Sequence, residues 1–157
     1  MKKFSRKDLD ALTLQARENP RLRKNLNIHP DDGSLCQRLF NAIEPDSYIP
    51  AHRHLDPEKD ETFLLVRGKL GVILFADSGE VVETILLATD GEFLAADIPY
   101  GIYHTAVSLA GGTIFFEAKG GPYLPLREEE QATWAPAAGT PAAAVCLARL
   151  KELFLSP

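Results

Sequence analysis

The residues best suited to chemistry lie within a short stretch of this 157-residue chain. The stretch contains His52, His54 and Glu61, so three common metal donors fall within ten residues. The chain has four histidines, and a third one, His104, stands in a separate segment at residues 99–104. Imidazole nitrogens and carboxylate oxygens together can hold a divalent ion. The hypothesis is therefore a fold that carries His104 to the other three donors.

The spacing of His52 and His54 bears on this hypothesis. In a strand, residues i and i+2 face the same side, so the two imidazoles would project together. Two surface histidines without a ligand are the alternative, because this pair alone is a weak signal. Glu58 is a second candidate carboxylate, but it lies in the polar loop 56–60, where a carboxylate is normally solvated. Glu61 is preferred because it begins a β-like run.

The elements that must position these donors are predicted mainly as short β-strands. Runs rich in Val, Ile, Leu, Phe and Thr recur about every ten residues, with turn-forming groups such as 77–80 and 110–112 between them. No helix-length segment interrupts the runs, which favours an all-β sandwich or barrel over a parallel βαβ fold. The predicted strands are residues 35–43, 61–67, 69–76, 81–87, 93–98, 103–109 and 113–119.

A helix is predicted on each side of the β-rich region. Residues 5–18 form the first, with Ser5 as its N-cap and Asp8 as the capping partner. The basic run at residues 21–24 is interpreted as a turn or as an anion-attracting rim of the site. Thr140 begins the second helix, whose apolar stripe should pack on the barrel, with a homodimer contact as the alternative. The stripe consists of Ala143, Leu147, Leu150 and Phe154.

Composition and charge narrow the class of protein. Apolar content of 45% and charged content of 25% are ordinary for a globular chain. One domain is expected, with a helical extension at 1–30, a β-barrel at 31–125 and a loop and helix at 126–157. A net charge of −5 gives no electrostatic footprint for nucleic acid or anionic lipid. With no signal-peptide pattern, no membrane-length apolar run and two distant cysteines, a cytoplasmic protein is predicted.

Polar residues inside the apolar runs are candidates for a substrate pocket. Arg38 could bind a carboxylate or phosphate, and Glu117 is a candidate general base. An outward-facing Arg38, or a structural ion pair between Arg38 and Glu117, is the alternative. Tyr48 is the third catalytic candidate; for it and for Tyr103, packing in the core or rim is the alternative to a role in the site. His29 either covers the barrel mouth or is exposed.

The two donor segments resemble the two motifs of the cupin family. The first motif, roughly G-x5-H-x-H-x3,4-E-x6-G, resembles residues 52–68, although six residues here separate the second histidine from the glutamate. The second, roughly G-x5-P-x-G-x2-H-x3-N, resembles residues 99–104, although Ser108 replaces the closing asparagine. The resemblance implies a double-stranded β-helix (jelly-roll) barrel with a metal in its mouth. The ligands that it implies are His52, His54, Glu61 and His104.

A narrower resemblance covers most of the chain. Segments at 16–29, 37–42, 47–54 and 117–123 look like the small WbuC-type cupin-fold metalloproteins of bacteria, which are associated with surface-polysaccharide gene clusters. The implied function is a metalloenzyme, an isomerase, lyase or oxygenase, acting on a polar or sugar-derived small molecule. A non-catalytic metal-dependent sugar-binding or structural module is the alternative. The nitrogen and oxygen donors suit Fe, Mn, Ni, Co or Zn.

Overall fold

The protein is built from two antiparallel β-sheets, with a helix on each side of the β-rich region. The computed structural model describes residues 1–155. Its helices are α1 (Arg6–Glu18) and α2 (Pro141–Glu152), and a 3-10 turn spans Glu128–Glu130. The strands are β1 (Arg23–Asn27), β2 (Cys36–Ile43), β3 (Glu61–Arg67), β4 (Lys69–Phe75), β5 (Val81–Ala88), β6 (Ala95–Ile98), β7 (Tyr103–Ser108) and β8 (Thr113–Gly120). The predicted all-β class with two flanking helices is confirmed.

The two sheets enclose the main core between them. One sheet has the strand order β1-β2-β8-β3-β6 and the other has the order β5-β4-β7. Apolar side chains from both inner faces, such as Phe63, Leu70 and Phe115, meet in one buried cluster. Such a cluster forms because alternate residues of each strand point to the same face. Since β3 begins at Glu61 and His104 is second in β7, facing sheets contribute donors near one end of the barrel.

The predicted strand runs correspond to β2 through β8, with ends that differ by at most two residues. Strand β1 was not predicted, and the interpretation of residues 21–24 as a turn is wrong for Arg23 and Lys24. Leu26 is the one apolar residue in β1, so the period-two pattern of a strand is missing from its sequence. The pairing with β2 supplies the conformation instead. The Arg23 guanidinium also anchors β1, because it donates to the Tyr48 carbonyl at 2.8 Å.

Helix α1 begins where the sequence predicts and covers the outer face of the five-stranded sheet. The Ser5 amide donates to the Asp8 carboxylate at 2.7 Å, while the Asp8 amide donates to the Ser5 hydroxyl at 3.3 Å. This reciprocal capping box satisfies two amides that have no partner inside the helix. Leu12 and Ala16 then pack against β2 and β8 in a separate buried cluster.

Helix α2 packs on the smaller sheet. The Thr140 hydroxyl accepts from the Ala143 amide at 3.2 Å, so Thr140 is the predicted N-cap. Ala143, Leu147 and Leu150 are buried in a cluster with residues of β4 and β7, and Phe154 packs against it. The apolar stripe is therefore used within the chain, as the first of the two predicted alternatives states. Among residues 1–155, no helix is long and apolar enough to cross a membrane.

Candidate metal centre

Four metal-donor side chains converge at one end of the barrel. His52, His54, Glu61 and His104 each offer one donor atom, and these atoms lie within 4.8 Å of one another. Glu61 is 3% exposed and His104 is 2% exposed, so these two donors are shielded from bulk water, whereas His52 is partly exposed. Oε2 of Glu61 lies 2.9 Å from Nε2 of His104 and 3.7 Å from Nε2 of His54. The fold thus brings the distant His104 to the other three donors.

Backbone carbonyls orient two of the imidazole rings. Nδ1 of His104 donates to the Ile102 carbonyl at 2.9 Å, and Nδ1 of His52 donates to the Pro50 carbonyl at 3.1 Å. A carbonyl can only accept, so each Nδ1 carries a proton and each Nε2 is left with the lone pair that a metal needs. This arrangement is usual for metal-binding histidines, whose second nitrogen donates to a carbonyl or carboxylate.

The remaining contacts of the donors also fit a metal ion. Nε2 of His54 is buried and has no hydrogen-bond partner among the described residues. Nε2 of His104 and Oε2 of Glu61 are 2.9 Å apart. Two ligands bound at about 2.1 Å to one ion at a right angle would lie about 3 Å apart. The residues present therefore fit a divalent ion held by nitrogen and oxygen.

A pair of backbone hydrogen bonds fixes the two motif segments to each other. The His104 amide donates to the His52 carbonyl at 2.8 Å, and the His52 amide donates to the His104 carbonyl at 3.1 Å. His52 lies in an isolated bridge rather than in the regular strand that its spacing suggested. The bridge still places the two rings side by side, with centroids 4.7 Å apart. Backbone pairing therefore sets the distance between these two donors.

A partly buried lysine links the donors to a second carboxylate. Nζ of Lys119 donates to Oε1 of Glu61 at 2.8 Å and to Oε1 of Glu117 at 2.7 Å. Oε2 of Glu117 accepts from the side-chain amide of Asn41 at 2.7 Å. Glu117 was predicted from the sequence as a pocket residue, whereas Lys119 and Asn41 were not. The i, i+2 spacing of Glu117 and Lys119 in a predicted strand was the available signal, because it places both on one face.

The charges in this group perturb one another. Burial raises the pKa of Glu61, but the surrounding contacts, first among them the charge of Lys119, outweigh burial and hold it well below its usual range. Burial and the charge of Glu61 raise the pKa of Glu117 to about 7, although Lys119 opposes them. Burial and the neighbouring His104 lower the pKa of His52 to about 4. His52 is therefore neutral at pH 7, the state in which imidazole binds metals.

Two cavities are each lined by at least two of the four donors. An inner chamber of about 180 Å³ lies behind them, between the sheets, and is lined by His52, Glu61, His104 and Glu117, among others. A mouth of about 180 Å³ lies in front, with His52, His54, Lys59, Gln37 and Tyr123 in its wall. Lys119 lines both cavities. A larger cavity of about 610 Å³ lies between β1 and α2 and contains none of the four donors. A small molecule therefore has space on either side of the centre.

Two of the predicted catalytic residues do not reach this centre. Arg38 is exposed, because the neighbouring Gln37 is the residue of β2 that faces inward, so both the pocket role and the ion pair with Glu117 are wrong. Tyr48 is buried under α2, where its hydroxyl donates to Cys146 Sγ at 3.8 Å. Its packing role replaces the predicted catalytic one.

The positions of Glu58, Tyr103 and His29 decide between the two roles predicted for each of them. Glu58 is exposed and outside the donor group, whereas Glu61 is inside it. Tyr103 is buried in the core, where its ring lies 4.3 Å beneath the Arg53 guanidinium. His29 is 4% exposed, so the prediction that it is exposed is wrong. It lines a cavity beside the centre.

Solved structures with the same fold support this architecture. KdgF from Halomonas sp. is 17% identical with a TM-score of 0.51, over 68% of this chain and 84% of that one. TT1209 from Thermus thermophilus is 20% identical with a TM-score of 0.53, over 76% and 97%. A recombinant oxalate oxidase in complex with glycolate is 13% identical with a TM-score of 0.52, over 67% and 54%. These similarities show the fold alone, a cupin jelly roll.

Sequence comparisons place the chain in a family but not with a characterised relative. No curated protein sequence matches it. The model of one family matches residues 4–87, which include α1, the segment of His52 and His54, and the strand of Glu61. That match covers more than half of the chain, and its description is "Domain of unknown function (DUF6016)". The protein with this centre is accordingly a member of the DUF6016 family.

Proposed function

We propose that the protein is a mononuclear metal-binding cupin that acts on a polar small molecule. The ion would be Fe, Mn, Ni, Co or Zn in its divalent form, held by His52, His54, Glu61 and His104. The observation that carries the proposal is the convergence of these four donors within 4.8 Å, two of them with their rings oriented by backbone carbonyls. No described cysteine joins the group, and a donor set without thiolate suits these metals.

The residues around the centre support an enzyme. A bound divalent ion would polarise an oxygen of the substrate. Glu117, with its pKa raised to about 7, lies next to the chamber and can accept or release a proton near neutral pH. Lys119 holds Glu61 through Oε1, so that Oε2 is the oxygen facing the imidazoles. We propose metal-dependent isomerase or lyase chemistry, or an oxygenase, on a polar or sugar-derived substrate.

The cellular setting follows from the narrower resemblance to WbuC-type proteins. It supports a cytoplasmic bacterial protein that takes part in surface-polysaccharide biosynthesis, and a homodimer remains a prediction. A non-catalytic module is the second candidate, because four protein donors are enough to close a tetrahedral zinc site. X-ray absorption on the metal-loaded protein separates the two. Six-coordinate metal with exchangeable water supports the enzyme, and four-coordinate zinc supports the structural module.

Metal analysis of matched carboxylate variants tests the centre. Glu61→Ala removes the proposed ligand, and Glu58→Ala removes an exposed carboxylate three residues away in the chain. Each purified protein is stripped, reloaded with one divalent metal, desalted and analysed for bound ion, with far-UV circular dichroism as the check on folding. We expect Glu58→Ala to bind as the unsubstituted protein does, while Glu61→Ala and the His52→Ala/His104→Ala variant lose the ion. Unchanged metal content in a folded His52→Ala/His104→Ala variant would refute the ligand set.

A further inference from the structure

A side pocket opens next to the metal centre on the inner face of β1 and β2. It has a volume of about 230 Å³. Glu117 and Lys119 line both this pocket and the inner chamber, so the two spaces share a wall. Its other lining residues include Asn25, Asn27, His29, Asp32, Gln37 and Tyr123. Asn25, Asn27, His29 and Asp32 line this pocket and line neither the inner chamber nor the mouth.

Strand register joins the side pocket to the metal donors. Gln37 of β2 lies opposite Lys119 of β8, and Lys119 lies opposite Glu61 of β3. Asn27 of β1 lies two strands from Glu117 through its partner Leu39. Neighbouring strands are about 4.8 Å apart, so the inner face runs about 14 Å from β1 to the strand of Glu61. A ligand that reaches from the metal into the pocket must be longer than a few atoms.

The pocket presents neutral hydrogen-bonding groups. Lys119 is its one cationic side chain, and that ammonium is already held by Glu61 and Glu117. Asp32 adds a further carboxylate to the wall. Two carboxylates and no free cation disfavour a phosphate or another strongly anionic group here, because burying a charge without a partner is costly. The charge pattern therefore favours an uncharged ligand.

Donors and acceptors remain free on these groups. The Asn25 amide donates to the Asn27 side-chain oxygen at 2.6 Å, which leaves the Asn27 amide as a donor and the Asn25 oxygen as an acceptor. The side-chain NH2 group of Gln37 donates to two backbone carbonyls, which leaves the side-chain oxygen of Gln37 as an acceptor. A hydroxyl group both donates and accepts. A row of hydroxyls matches this mixture better than a purely accepting or purely donating ligand.

His29 adds a buried ring nitrogen without a partner. Its Nδ1 lies 2.9 Å from both the carbonyl oxygen and the amide nitrogen of Arg38. Nε2 is buried and has no hydrogen-bond partner among the described residues. Leaving a buried polar group unpaired costs about 1–3 kcal/mol. A ligand hydroxyl can both donate and accept, so one that reaches the ring by a small shift of the pocket wall would remove that penalty.

We propose that the side pocket binds a neutral polyhydroxylated group, such as a sugar ring, belonging to the molecule whose reacting end lies at the metal. This inference rests on the proposed function, because it names the substrate class of the same centre. Tyr123 is 52% exposed at the pocket edge, where its ring can cover the apolar face of such a group. The β1 side of the barrel thus selects the substrate, while the donor side acts on it.

Side-chain amide resonances in two-dimensional NMR provide the test. The zinc-loaded full chain is titrated with methyl α-D-glucoside and methyl α-D-galactoside as neutral probes, and with inorganic phosphate as the anionic probe. We expect at least one glycoside to shift the side-chain amides of Asn27 and Gln37 and the ring signals of His29. Phosphate should leave them in place. No shift with either glycoside, or a larger shift of these signals with phosphate, would overturn the proposal.

Variants of β1 provide the matched control. Asn25→Ala/Asn27→Ala removes two pocket groups at exposed positions, and Lys24→Ala changes a residue that alternates to the opposite face of the same strand. Two lost hydrogen bonds should weaken glycoside binding about tenfold or more, whereas Lys24→Ala should bind normally. Equal affinity in all three proteins would refute the assignment. Metal content is measured in each protein. Metal retained by the unsubstituted protein without glycoside binding refutes the pocket alone, whereas glycoside binding by an unsubstituted protein that holds no metal refutes the metal centre alone.

Discussion

Removing the ammonium of Lys119 should destabilise the metal-free protein strongly. Lys119 lies between Glu61 and Glu117 at 2.8 and 2.7 Å, and its side chain is 19% exposed. Lys119→Met keeps most of the side-chain volume but leaves two buried carboxylates facing each other. Removing one partner of a buried ion pair costs about 3–5 kcal/mol. For a domain of this size each kcal/mol lowers the melting temperature by about 2–4 °C, so we expect a loss of about 6–20 °C.

Urea unfolding of the metal-free protein measures the loss of unfolding free energy, and thermal unfolding measures the fall in melting temperature. Lys24→Met is the control, because Lys24 is exposed and its ammonium makes no salt bridge among the described residues. A second variant isolates the cause: Lys119→Met/Glu117→Gln should be more stable than Lys119→Met alone, since it removes the repulsion between the carboxylates. If Lys119→Met unfolds within about 0.5 kcal/mol of the control, or if the second substitution adds further instability, the electrostatic account of this group is wrong.

Two further predictions concern the loops around the mouth. Glu130 accepts from the backbone amides of Leu55 and Arg127. Burial raises the pKa of Glu130, but the hydrogen bond from the Arg127 side chain and those from the two amides outweigh burial and lower it from 4.5 to about 2. Because the folded pKa is depressed, Glu130 stabilises the protein above about pH 4.5 and loses this effect towards pH 2. Glu130→Gln should therefore cost about 1.5–3 kcal/mol at pH 7, and the difference from the unsubstituted protein in urea unfolding should shrink below pH 4; a constant difference down to pH 2 contradicts this. Gly120→Ala would drive a methyl group into the Glu58 carbonyl, so it should lower the free energy of unfolding by about 1–3 kcal/mol. Gly33→Ala is the control, because its new methyl group meets only the end of a side chain. Equal urea midpoints for the two variants would refute the close approach at Gly120.

The sequence predicted most of the fold because its turns are strongly marked. Seven strands and both helices follow from apolar runs, turn-forming groups and the caps at Ser5 and Thr140. The exception is β1, where Leu26 is the single apolar residue and the pairing with β2 outweighs the local sequence. Strand conformation in such a segment comes from its neighbour, which a local pattern cannot show.

The candidate site could be predicted only in part. The spacing of the histidines and the β-like start at Glu61 indicated the donors that the structure brings together. Arg38 was assigned to the wrong face, because alternation shows which residues of β2 share a face but not which face is inside. Because the neighbouring Gln37 is also polar, the sequence did not show which of the two residues faces inward. Lys119 was missed for a related reason: its value lies in contacts with Glu61 and Glu117 across strand pairs, and register is invisible in a single sequence.

The geometry of the donors depends on the backbone more than on the ion. Two amide–carbonyl bonds between His52 and His104 hold their segments together, and carbonyls two residues back in each segment hold the rings. Lys119 holds the third donor, Glu61, from the opposite side. A centre held in this way requires little rearrangement when a metal enters, and so little of the binding free energy is spent on ordering side chains. The metal's main effect on stability should then come from mass action on a preformed site rather than from organising the barrel.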